Sequence, residues 1–117
     1  MKQNEIWLIN LDPTVGAEIR KTRPAVIVND NVLGKLPLRI IVPITDWKEK
    51  YSIAPWMIKI DPSISNGLTK TSTADCFQIR SISQARFIKY LGELSDSELD
   101  EIRLALAKVL SMDNEKG

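Results

Sequence analysis

Between residues 5 and 91 every apolar stretch is short, and each is cut by proline or by a cluster of turn-forming residues. That interruption limits the fold more than any other feature. Residues 5–11 are rich in β-branched and aromatic side chains and stop at Asp12-Pro13. Residues 24–28, Pro-Ala-Val-Ile-Val, stop at Asn29-Asp30-Asn31. Residues 38–45 form a third run, in which Pro43 predicts an edge or a bulge because proline cannot donate to a ladder. Residues 56–60 alternate and are closed by Asp61-Pro62; residues 75–82 and a short run at 87–91 complete the series. Strands this short and this often broken predict a small barrel rather than a sandwich.

The pattern changes at Ser95. Ser95-Asp96-Ser97-Glu98 has the form of a capping box, and Leu94 and Leu99 occupy the positions of a hydrophobic staple. Leu99, Ile102, Leu106, Val109 and Leu110 then recur at helical spacing. The chain is therefore read as one domain over 1–117: a β-barrel over about 5–93, then one amphipathic helix over about 96–111 packed on it. The polar residues from Asp113 to Gly117 are expected to fray.

Charge and composition narrow the chemistry. The chain has 16 basic and 15 acidic residues, a formal charge of +1, which excludes the strongly basic footprint of a nucleic-acid coating protein. A local basic groove is still allowed, because steering depends on where charges sit. Histidine is absent and Cys76 is the only cysteine. Common zinc sites, histidine acid–base catalysis and Ser–His or Cys–His nucleophiles are thereby excluded. A lone cysteine fits a reducing compartment, the N-terminus has no signal-peptide pattern, and no apolar stretch approaches the roughly 20 residues that span a bilayer. The expectation is a cytoplasmic protein without a membrane partner.

The most unusual stretch is residues 12–24, a long polar connection carrying Arg20, Lys21 and Arg23. It is either a solvated loop or a mobile arm that lies along a phosphate backbone, with Arg23 at the rigid strand entrance. Trp7-Leu8-Ile9-Asn10-Leu11-Asp12-Pro13-Thr14-Val15-Gly16-Ala17-Glu18, followed by Arg23-Pro24-Ala25-Val26-Ile27-Val28, resembles the opening of MazF/PemK family toxins. Val42-Pro43-Ile44-Thr45 resembles that family's threonine-ended third strand. Gln78-Ile79-Arg80-Ser81-Ile82 and then Arg86 resemble its Gln-x-Arg-(Thr/Ser) strand and following turn. The resemblance runs over roughly residues 5–110, and its pieces fall in order.

The resemblance implies an SH3-like, PemK/CcdB-type barrel, a homodimer, cleavage of single-stranded RNA without a cofactor or metal, and neutralisation by a MazE-like antitoxin. By motif position its catalytic pair falls on Arg23 and Thr45, with Glu18 contributing. RNA can be cut by its own 2′-hydroxyl attacking the adjacent phosphate. Arg23 suits the charge that builds on phosphorus, Thr45 can orient the phosphate or the 2′-hydroxyl, and Glu18 is the nearby carboxylate. Arg20, Lys21, Trp47, Lys48, Ser72, Gln78 and Arg80 are the candidate RNA contacts, with Trp47 as a base-stacking platform. Trp7 and Trp56 are read as core.

One position departs from the pattern: many members carry Asp immediately before the fifth-strand Gln, where this chain has Phe77. Asp75, two residues earlier, would share a face with it by strand alternation. A degenerate RNA-binding toxin is the reading that Phe77 favours. A gyrase poison of the CcdB type would share the barrel but needs an aromatic at the helix end, where this chain has Val109-Leu110-Ser111-Met112. An SH3-like adaptor would need a cluster of exposed aromatics, and aromatics are 6% of the chain.

Overall fold

The computed structural model describes residues 1–112; the C-terminal polar tail lies outside them. Seven strands and one helix follow in chain order: β1 Glu5–Asn10, β2 Thr22–Ile27, β3 Leu38–Asp46, β4 Met57–Ile60, β5 Ser72–Asp75, β6 Arg80–Ser83, β7 Phe87–Glu93 and α1 Asp96–Val109. The expected mainly β architecture with a C-terminal helix is present. All pairings are antiparallel, and the strand order is β4-β5-β3-β2-β1-β7 with β6 added to β3. The sheet stays open between β4 and β7.

Strand β3 explains its own proline. Its first half, Leu38 to Ile41, pairs with β6, and its last residues, Ile44 to Asp46, pair with β5. Ile40 turns both its backbone groups towards the β2 side: its N–H donates to Asn29 Oδ1 (3.0 Å) and its carbonyl accepts from Val28 N (2.9 Å). By alternation Pro43 faces the opposite flank, at the gap where the partner changes from β6 to β5. The proline is therefore neither on an edge strand nor at a bulge. It is buried in a central strand, at a place where no ladder bond is required of it.

The predicted fifth strand, 75–82, is in fact two. A 3₁₀ turn at Cys76–Gln78 separates β5 from β6, with Asp75 Oδ1 accepting from Phe77 N at 3.1 Å. The turn breaks the alternation, so Asp75 is buried while Phe77 is 66% exposed. Continuous pleating fails because a strand that pairs β4 through β5 must swing over to reach the other half of β3. Trp56 is likewise not core: it precedes β4, is 37% exposed, and meets the Phe77 ring edge-on at 6.0 Å. Trp7 is half-buried against Phe87 and Tyr90, both edge-on.

Apolar residues cover both faces of the β2–β3 ladder. Val26, Val42 and Ile44 join Ile6, Ile60, Ile102 and Ala105 on one side; Ala25, Ile27 and Ile41 join Ile9, Leu11 and Ile82 on the other. Helix α1 contributes Leu99, Ile102 and Ala105, whereas Leu110, which the periodicity assigned to the apolar face, is 52% exposed at the helix end. Its capping box is complete: Ser95 Oγ accepts from Glu98 N (3.2 Å) and Glu98 Oε1 accepts from Ser95 N (2.9 Å). Ser95→Ala is expected to cost about 1 kcal/mol of unfolding free energy, read as a lower urea midpoint with unchanged slope.

Candidate functional site

β2 and β3 place Arg23 and Thr45. The β2–β3 ladder runs from Ala25–Pro43 to Ile27–Ile41, and Arg23 on β2 and Thr45 on β3 each lie two residues beyond its Ala25–Pro43 end. Both side chains are half-buried and both line one cleft of about 260 Å³. Arg23 Nε donates to the Arg20 carbonyl at 3.4 Å, and among the described residues its guanidinium has no carboxylate partner. An unneutralised guanidinium that lines the same cleft as a hydroxyl is an arrangement suited to a phosphate group.

The far wall of the cleft is a loop that sequence patterning did not single out. Asn66, 1% exposed, accepts from Ser63 N and Leu68 N through Oδ1 (3.0 Å each) and donates from Nδ2 to the Asp61 carbonyl (2.9 Å). Gly67 follows in the left-handed region at φ +69° and lies so close to β7 that a Cβ would stand 2.0 Å from the Leu91 carbonyl oxygen. This knuckle holds Leu68, Thr69 and Lys70 against the cleft, where Lys70 pairs with Asp46. Asn66-Gly67 is the one sequence signal that could have found the wall, since that dipeptide marks a left-handed turn.

The long loop between β1 and β2 is tied down rather than free. Asp12 Oδ1 accepts from Lys21 N (3.1 Å) and Thr14 Oγ1 (3.2 Å), and Arg86 Nη1 donates to the carbonyls of Asn10 and Asp12. Gln78 holds its middle: Oε1 accepts from Ile19 N at 2.6 Å and Nε2 donates to the Ala17 carbonyl at 3.2 Å. Arg80 Nη2 donates to the Ile19 carbonyl at 3.1 Å. Glu18 lines a second groove with Gln78 and Arg80, not the Arg23–Thr45 cleft, and its Oε1 accepts from Val15 N at 2.8 Å. Arg20 and Lys21 are exposed.

With this geometry in place, comparison with known proteins is decisive. The family model of PemK-like, MazF-like toxins of type II toxin–antitoxin systems matches residues 2–110. The chain belongs to that family. It is 31% identical over 112 residues to the endoribonuclease MazF9 of Mycobacterium tuberculosis, covering 91% of this chain and 92% of the relative. MazF of Deinococcus radiodurans has the same fold, with a TM-score of 0.81 at 21% identity over 96% of this chain and 97% of that one. A mycobacterial endoribonuclease solved in complex with its cognate antitoxin gives a TM-score of 0.77 at 19% identity, over 98% and 99% of the two chains.

In this MazF/PemK-type chain the remaining sequence-predicted residues fall into three places. Ser72 is buried at the cleft, its Oγ donating to the Lys70 carbonyl at 2.9 Å. Trp47 is half-buried, edge-on to Tyr51 at 6.0 Å with Lys59 Nζ 5.3 Å from its ring centre; Lys48 beside it is exposed. Gln78 and Arg80 clamp the loop. Gln78→Ala is expected to speed amide exchange at Ile19 by about fivefold with little change at Ile44, because a net hydrogen bond contributes about 1 kcal/mol.

Phe77, the departure from the family pattern, projects outward and separates the Glu18 groove from a second apolar hollow between Trp56 and Val109. Cys76 beside it is buried, and burial pushes its thiol up to about 12. It is held as the neutral thiol, and iodoacetamide is expected to leave the native protein unmodified at neutral pH. Burial also raises the Asp75 carboxyl above its ordinary range, against the lowering effect of the Phe77 and Gln78 hydrogen bonds. No group of three His, Cys, Asp or Glu among the described residues is arranged to hold a metal, and no described helix is long and apolar enough to cross a membrane.

Proposed function

We propose that this MazF/PemK-family toxin is an endoribonuclease that cuts single-stranded RNA without a metal, by attack of the 2′-hydroxyl on the adjacent phosphate. The observation that carries the reading is the convergence of Arg23 from β2 and Thr45 from β3 on one cleft. As the 2′-oxygen forms its bond to phosphorus, negative charge grows on the non-bridging oxygens. The forked guanidinium of Arg23 faces that charge and remains protonated at any working pH. The Thr45 hydroxyl both donates and accepts, so it can fix the phosphate while orienting the 2′-hydroxyl. The 2′-hydroxyl gives up its proton to solvent water, and the bond from phosphorus to the 5′-oxygen breaks. That oxygen takes a proton from water, leaving a cyclic phosphate on one fragment and a 5′-hydroxyl on the other.

In this reading Glu18 shapes the β1–β2 loop through its bond to Val15 N, and Gln78 and Arg80 hold that loop against the sheet. Arg20, Lys21 and Lys48 track the backbone outside the cleft, Ser72 sets the cleft floor, and Trp47 is a stacking platform for an unstacked base. The protein acts as a homodimer, and an antitoxin with a disordered acidic or apolar tail covers the cleft and folds as it binds.

The test is incubation of the purified protein with a long RNA of mixed sequence in EDTA, followed by mapping of the product ends. Recurrent cuts at one short motif with 5′-hydroxyl ends are expected. Cleavage that disappears in EDTA and returns with a divalent cation would refute the metal-free route. RNA left intact under every condition would refute the enzyme.

A further inference from the structure

We infer that Lys70 is a second phosphate-contacting residue of the RNA cleft, held in reserve by Asp46 until RNA arrives. Lys70 and Asp46 both line the cleft that contains Arg23 and Thr45. The Lys70 ammonium sits 3.0 Å and 3.1 Å from the two carboxylate oxygens of Asp46. Asp46 directly follows Thr45 at the end of β3 and is paired in the ladder with Ser72. An uncompensated carboxylate there would repel a phosphate from the two residues that must hold it. In the free protein Lys70 offsets that charge as the phosphate approaches, and after the exchange solvent screens the half-exposed carboxylate.

The pair is also built to be broken. Its side chains are 65% and 53% exposed, and ion pairs in such positions contribute little to stability, so exchanging the carboxylate for a phosphate costs little. The backbone of Lys70 is fixed, because its carbonyl accepts from the buried Ser72 hydroxyl at 2.9 Å and Asn66 organises the loop before it. Its head, a compact charge on a flexible stem with three donors, can swing between acceptors. Arg23 lacks any carboxylate partner among the described residues and stands on a strand. The two cations therefore divide the work: Arg23 is permanently presented, and Lys70 is released by the ligand it serves.

This inference rests on the reading of the cleft as the RNA site, and its test separates the two. Wild type, Lys70→Gln and Asp46→Asn would be titrated with a labelled 2′-O-methyl RNA of mixed sequence, which cannot be cut, over a series of salt concentrations, with thermal melts as a folding control. Lys70→Gln is expected to weaken binding roughly fivefold. It should also make the slope of log affinity against log salt shallower by about 0.7, the value of one lost contact to a single strand. Asp46→Asn frees the lysine and should tighten binding about two- to fivefold. A merely structural pair gives the opposite pattern: both variants break it, both weaken binding alike, and the salt slope stays put. That result, or an unchanged affinity for Lys70→Gln, overturns the inference while leaving the RNA site standing. Wild type that fails to bind the RNA overturns the site and the inference together.

Discussion

Arg23→Ala is expected to slow RNA cleavage by about 100- to 1,000-fold while leaving the melting temperature within about 2 °C of wild type. The two halves of that expectation have different causes. The side chain is half-buried and makes a single long hydrogen bond, to the Arg20 carbonyl, with no carboxylate left stranded by its removal. Truncation therefore costs the fold little. In the proposed mechanism the guanidinium faces the charge that builds on phosphorus, and a donor placed there acts mainly in the transition state, so the rate is expected to fall. The loss should appear in kcat more than in KM, since Lys70, Arg20 and Lys21 still attract the RNA. Arg23→Lys should recover only a small part, because an ammonium cannot present two parallel donors to phosphate oxygens. A variant with unchanged kcat would remove Arg23 from the chemistry and leave Thr45 without its partner.

Gly67→Ala is expected to cost about 2–4 kcal/mol of stability, a fall of roughly 10 °C in melting temperature, and to impair cleavage as well. Two effects act together here. A φ of +69° is strained for alanine, and the added methyl would stand 2.0 Å from the Leu91 carbonyl oxygen, a backbone atom that cannot turn aside. The loop must lift from β7, and Leu68, Thr69 and Lys70 lift with it. Gly16, also at positive φ (+61°), makes a useful control: a Cβ there meets nothing within 4 Å, so Gly16→Ala should cost about 1 kcal/mol through backbone strain alone. Equal losses at the two glycines would show that the close approach to Leu91 contributes nothing.

Local physics made much of this protein legible. The Ser95–Glu98 capping box, the helical spacing of Leu99 and Ile102, and the turn residues at Asp12-Pro13 and Asn29-Asp30 act over a few neighbouring residues. Their consequences could be read without knowing what lies across the sheet. Arg23 and Thr45 were legible for another reason: each sits in a run of motif residues whose order resembles a known family. Trp56, by contrast, alternates like a core strand residue yet lies outside β4, because burial depends on what covers a face and not on period alone.

Local patterning along the chain accounts for the mainly β class and the single capped helix, and the resemblance of its motifs for Arg23, Thr45 and Glu18 as candidates. Only the tertiary structure decided the rest, and in each case the cause is a contact between residues far apart in the chain. Pro43 is tolerated in a central strand because β3 changes partner beside it. Residues 75–82 bend through a 3₁₀ turn because β5 and β6 must serve different halves of β3. Glu18 falls in a separate groove because Gln78, about sixty residues away in sequence, pins its loop. Lys70 joins the cleft because Gly67 lets the loop close on Leu91. Non-local contacts of this kind leave no periodicity in the chain: the Asn66-Gly67 turn is legible locally, but its place on the wall of the site follows only from the close approach of its loop to β7.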